Sequence, residues 1–146
     1  MPAVGFGLGK LASYMKAIRV HENGGPEVLR FDEIPAPEPA AGQVLIRVHA
    51  VGVNYIDIYQ RDGLYKLELP FIAGSEAAGA VEAVGPDVEG VAKGDRVAFG
   101  THRGSYAELV SAPASVVVKI PDAVTFEQAT AAMLQGMTAH YLTHST

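Results

Sequence analysis

The side chains best suited to meet a planar, polar ligand fall in one short stretch, GVNYIDIYQRDGLY (Gly52–Tyr65). Asn54 stands where an alternating hydrophobic run ends. Its amide can donate to or accept from a carboxamide or a carbonyl, and it suits equally the N-cap of a following helical turn. Tyr59 and Tyr65 each offer a flat apolar face and a polar tip, which fits a planar ligand as well as ordinary packing. Asp57 could deliver a proton only if burial raised its pKa; a local hydrogen bond or a cap is the simpler role.

Metal chemistry is poorly provided for. The chain has no cysteine, which removes disulfides, thiolate zinc sites, iron–sulfur clusters and thiol nucleophiles together. The histidines are His21, His49, His102, His140 and His144. His140 and His144 share one helical face at metal-binding spacing, but no third ligand is near in sequence. His102 reads as a surface loop residue. No metal ligand set is expected.

The elements that must position these groups are mostly strands. Met15–Val20 and Glu27–Ile34 read as strands around the turn residues of HENGGP. Pro35, Pro37 and Pro39 make 35–42 an extended surface connection. Gln43–Val53 alternates clearly, with Val44, Ile46, Val48 and Ala50 on one face and Arg47 and His49 on the other, so a single buried face is expected. Glycine then recurs through GSEAAGAVEAVGPDVEGVAKGDRVAFG (Gly74–Gly100), more densely than a helix tolerates. Gly74, Gly79 and Gly85 read as backbone requirements. Strands are expected over Ala77–Val84, Arg96–Phe99, Gly104–Ala112 and, as a buried element, Val116–Ile120. Glu76 reads as structural, paired with Arg61 or Arg96. Thr125 with Gln128 forms a capping box, and Phe126, Ala129, Met133, Met137 and Tyr141 continue at helical spacing with Gly136 as the expected break. Many short strands between Gly and Pro turns argue for a barrel or sandwich.

The 146 residues suit one domain, and 49% hydrophobic with 18% charged residues supports a core. A net charge of -5 without a Lys/Arg cluster argues against nucleic acid and anionic membrane surfaces. No apolar run approaches the ~20 residues needed to span a bilayer. Residues 1–14 are Gly-rich and aperiodic, so a flexible extension is expected there, with the fold starting at Met15. The lack of cysteine fits a reducing compartment, and a cytoplasmic location is expected.

Gly74 to Val88 matches GxExxGxxxxxGxxV, and GDRV follows at Gly94–Val97. This resembles the signature of the medium-chain alcohol dehydrogenases and reductases. Zinc members carry a ligating histidine where this chain has Ser75, and a ligating cysteine where it has Asn54. The match is closest to zinc-independent NADPH:quinone oxidoreductases of the zeta-crystallin type. HENGGPEVL, GVNYIDIYQRDGLY, GSEAAGAVEAVG, KGDRV and the tail from Phe126 to Leu142 carry it. Asp62 departs from the serine of many relatives.

The resemblance implies a mainly β fold with terminal helices: a GroES-like, partly open β-barrel over 15–124, with 125–146 leading toward a dinucleotide-binding Rossmann domain. No GxGxxG fingerprint lies in this chain, so the Rossmann half is expected to be absent from it. By the same resemblance Asn54 and Tyr59 border the nicotinamide of NADPH. Tyr65 lines the pocket of a quinone or other conjugated carbonyl, water or a hydroxyl such as that of Tyr59 supplies the proton, and Gln135 and Thr138 approach the cofactor from the crossing helix. A homodimer is expected of the full-length form only. The implied activity is hydride transfer from NADPH to quinones, with enone or enoyl reduction as the alternative within the superfamily. A further alternative is a non-enzymatic fragment or small interaction module.

Overall fold

The computed structural model describes residues 13–144. β1 (Tyr14–Val20) pairs antiparallel with β2 (Leu29–Pro35), Met15 opposite Ile34 and Val20 opposite Leu29. A short 3-10 turn at Pro26–Val28 starts on a proline, whose fixed φ suits a first helical position. β4 (Phe71–Ile72) adds to the other edge of β1 and completes a three-stranded sheet. The expected extension up to residue 12 lies outside the described residues.

The second sheet has five strands in the order β7–β3–β5–β6–β8: β3 is Gln43–Gly52, β5 Glu76–Val84, β6 Arg96–Phe99, β7 Leu109–Pro113 and β8 Val118–Lys119. Every pairing is antiparallel, so the described residues contain no parallel strand–helix–strand unit. Between β3 and β5 the register slips twice. Glu82 is skipped on β5 between the Leu45–Ala83 and Ile46–Val81 pairs, and His49 is skipped on β3 between Val48–Gly79 and Ala50–Ala78. The two bulges cancel, so both ends of the ladder share one register.

The main core lies on one face of this sheet, where Val44, Ile46, Val81, Val97 and Phe99 pack together. β3 was expected to bury only that face. Leu45, on the other, is also buried, against Met15 and Leu109, because the three-stranded sheet folds over that end. The strand expected from Gly104 begins only at Leu109. The residues before it stitch the two sheets: Ile18 N donates to Tyr106 O at 2.8 Å, Glu108 N to Lys16 O at 3.0 Å and Tyr106 N to Ala73 O at 3.0 Å. These bonds close the barrel in part and leave no room for a regular ladder. Val116–Ile120 is likewise not a buried strand. A 3-10 turn takes Ala114–Val116, only Val118 and Lys119 pair with β6, and Val118 is 50% exposed at the sheet edge.

Among the described residues three helices follow the barrel's rim: α1 (Tyr55–Asp62), α2 (Phe126–Ala132) and α3 (Leu134–His144). The Thr125–Gln128 capping box forms, with Thr125 Oγ1 accepting from Gln128 N at 3.2 Å and Gln128 Oε1 from Thr125 N at 3.0 Å. The helix break falls at Met133 (ψ -83°), not at Gly136. The cause is electrostatic: Leu134 N, the first amide of α3, donates to the Glu76 carboxylate at 2.6 Å, and a helix start favours an anion.

Candidate functional site

The site is built where β3 ends, α1 begins and α3 crosses. Asn54 occupies the N-cap of α1 with extended backbone (φ -127°, ψ 154°). Its backbone N–H donates to Asp57 Oδ2 at 2.9 Å, three residues into the helix. Asp57 is 7% exposed and collects two hydroxyls as well, Ser75 Oγ at 2.9 Å and Tyr106 OH at 3.0 Å. Asp57 is therefore an anchor between α1, β5's entry and the stitching segment, as its local role suggested. Burial pushes the Tyr106 phenol well above its ordinary value, and the nearby Asp57 charge and hydrogen bond add to that.

Glu76 is fully buried. Its expected pairing with Arg61 or Arg96 is not what forms. Arg61 Nε donates to Gly24 O, and Arg96 donates to the carbonyls of Pro121, Asp122 and Val124 while lying over the Phe126 ring. Glu76 instead accepts from Asn54 Nδ2 at 2.9 Å, Leu134 N at 2.6 Å and Gln135 Nε2 at 3.4 Å. A buried carboxylate needs such donors, and neutral N–H groups satisfy it without a cation.

This fixes the amide orientations. A carboxylate only accepts, so the Asn54 atom facing it is Nδ2, and Oδ1 turns outward. There Gln135 Nε2 reaches it at 2.8 Å in an exposed setting. Reversing Gln135 would bring its nitrogen to Ala131 O and Glu76 Oε1, at 3.1 and 3.2 Å, but would set two amide oxygens 2.8 Å apart. Beside this pair lies a cleft of about 300 Å³, walled by Val51, Gly52 and Val53 on one side and Thr130, Ala131 and Gln135 on the other, with Glu76 and Glu127 at its edge.

Of the residues singled out in the sequence, Asn54 and Gln135 are thus joined directly. Tyr59 and Tyr65 form a second pair. Their rings meet edge-on at 5.7 Å, and Tyr65 N donates to Tyr59 O at 2.9 Å. Tyr65 is 51% exposed. Thr138 lies one turn into α3 and donates to Leu134 O at 2.7 Å. His102 is not a free surface residue: its Nε2 lies 2.9 Å from Ser111 O and its ring meets Phe99 edge-on. His140 and His144 stack on each other at 4.4 Å. Among the described residues no three His, Asp or Glu side chains gather as a metal could require.

Residues 40–122 match the profile of the alcohol dehydrogenase GroES-like domain. The chain belongs to that family. As a GroES-like domain it aligns with the N-terminal part of quinone oxidoreductases. It is 45% identical over 133 residues to a quinone oxidoreductase of Pseudomonas aeruginosa, covering 90% of this chain and 41% of that protein. The human quinone oxidoreductase is 44% identical over 130 residues, covering 86% and 40%. The Escherichia coli quinone oxidoreductase, solved in complex with NADPH, superposes with a TM-score of 0.86 at 39% identity, covering 88% and 40%. The GroES-like domain described here thus spans about two-fifths of the length of these relatives.

Sequence reasoning missed Tyr106, and it gave Glu76 the wrong partners. The position of Glu76 inside the glycine-rich signature was a usable signal, since an acidic residue opening an apolar strand must find donors. Tyr106 had no such signal, because its partner Asp57 is distant in sequence and reached only through the barrel.

Proposed function

We propose that this chain is the substrate-facing domain of a cytoplasmic, zinc-independent NADPH:quinone reductase, working with a dinucleotide-binding half that these residues do not supply. The observation that carries the proposal is the amide pair at the cleft. Asn54 is locked by a buried carboxylate, with its oxygen outward beside Gln135. The surroundings suit an uncharged carboxamide ring. They do not suit phosphates, since Glu76 and Glu127 contribute to the lining and no cation does among the described residues. The phosphate end of the cofactor must then be held elsewhere.

When bound, NADPH supplies the hydride. The work left to this chain is positioning and exclusion of water. Asn54 orients the carboxamide, with Gln135 and Thr138 beside it on α3. Tyr59 and Tyr65 offer ring faces and hydroxyls to the acceptor. A quinone gains hydride and one proton to become an aromatic hydroquinone, so it needs little electrophilic help. Ser75 and Asn54 stand where zinc-dependent relatives carry ligands. In this chain Ser75 Oγ is committed to Asp57 and Asn54 to Glu76, and this supports the zinc-independent reading. Among the described residues no helix is long and apolar enough to cross a membrane.

The test is NADPH oxidation by the full-length protein with quinones and with enones as separate acceptors. Quinone-dependent oxidation is expected. Oxidation driven by enones alone would move the assignment to another acceptor, and no oxidation with either would overturn it.

A further inference from the structure

We infer that Glu76 is a positioning residue that sets the hydrogen-bond polarity of the cleft, making Asn54 an acceptor toward any ligand there. The inference rests on the dinucleotide reading above and deepens it. Glu76 is fully buried, lines the cleft from within, and meets no cation among the described residues. Both its oxygens are held by N–H donors: Oε1 by the first amide of α3, Oε2 by Asn54 Nδ2. The backbone amide cannot turn into an acceptor, so the carboxylate cannot rotate its way to another pattern. Asn54 is equally constrained, because its own backbone N–H is held by Asp57 Oδ2. With one Nδ2 hydrogen held by Glu76, the Asn54 oxygen Oδ1 is the acceptor that the Gln135 amide approaches at 2.8 Å.

A ligand amide that displaces or joins Gln135 must therefore present N–H to Asn54. The carbonyl oxygen of that ligand amide gains nothing from Asn54. Replacing Glu76 by glutamine keeps the shape and reverses this logic. In Glu76→Gln the new side chain can keep its oxygen on Leu134 N only by turning its NH₂ toward Asn54. Asn54 then flips and presents Nδ2 outward, to a ligand carbonyl.

The experiment compares two reduced dinucleotides by calorimetric titration of the full-length protein. One is NADPH. The other is its 3-acetylpyridine analogue, in which a methyl group replaces the carboxamide nitrogen while the carbonyl stays. Wild type is expected to bind NADPH about tenfold more tightly than the analogue, the size of one lost hydrogen bond. Glu76→Gln and Asn54→Leu are each expected to bring the two ligands within roughly twofold of one another. A merely structural role for Glu76 would weaken both ligands alike and leave their ratio unchanged, and that result overturns the inference. If Glu76→Gln does not fold, wild type against Asn54→Leu decides the matter, since a wild type without preference contradicts an outward Oδ1. Failure of wild type to bind either dinucleotide refutes the dinucleotide reading itself, and this inference falls with it.

Discussion

Tyr106 ties the barrel's stitching segment to the start of α1 through one hydroxyl, which donates to Asp57 Oδ2 at 3.0 Å. Tyr106→Phe leaves Asp57 with one donor fewer in a buried setting, and a loss of about 1–2 kcal/mol is expected in denaturant unfolding. The pH dependence follows from the raised phenol. In the unfolded chain Tyr106 ionises near its ordinary value of 10.0, while in the fold it stays neutral to higher pH. Its contribution is then complete below pH 10 and is lost as pH rises beyond that. Wild type should lose stability above pH 10, and Tyr106→Phe should lose less over the same interval. At this scale the sequence was partly legible. Asn54 and Tyr59 could be found because a strand pattern stops and a helix-capping residue begins. Glu76 was visible but its donors were not, since two of them come from α3. Ser75 was legible as a departure from a metal-ligand pattern, though not as the hydroxyl that holds Asp57.

β3 falls close to where alternation placed it, and β1, β5 and β6 close to where the turn residues around them did. Elements defined by what they touch were not readable. The stretch before β7 alternates like a strand but spends its hydrogen bonds on two different sheets. The helix break sits at Met133 because an anion waits there, and no local propensity encodes that. Gly79 shows how tightly the readable part is packed. It crosses β3 so closely that a Cβ there would overlap the Arg47 carbonyl oxygen. Backbone cannot step aside as a side chain can, so Gly79→Ala should cost about 2–4 kcal/mol in unfolding free energy. Gly90→Ala has open space around it but a φ of +76°, so its cost should come from backbone strain alone, roughly 1 kcal/mol. Equal losses for the two would contradict the close-approach reading.

As a whole, the chain is a barrel with one helix, α3, that buries no side chain of its own. Met137 and Tyr141 are exposed along it and leave apolar surface open to solvent. Among the described residues no cation lines the acid-edged cleft, and NADPH oxidation by the 146-residue chain alone is expected to be unmeasurable. Tight stoichiometric NADPH binding by that chain in calorimetry would contradict this. The barrel as a class was legible from many short strands and from the signature motifs. Its partial opening came only from the resemblance, because the closure depends on a few bonds from a segment without its own regular structure.

The paired slips between β3 and β5 have a genetic consequence. Loss of His49 alone would leave Val48 opposite Gly79 and Ala50 opposite Ala78, removing that bulge without moving the strand end that leads into Asn54, and would cost only the ring that stacks on Phe126 at 4.4 Å. Loss of Glu82 alone would likewise keep Leu45 opposite Ala83 and Ile46 opposite Val81, but would take away the partner of Arg47, whose Nε lies 2.6 Å from Glu82 Oε2. Loss of both would give a ladder without bulges. Single-codon deletions at these two positions should therefore keep the ladder in register, each costing what its side chain's contacts contribute, and the double deletion should cost about their sum.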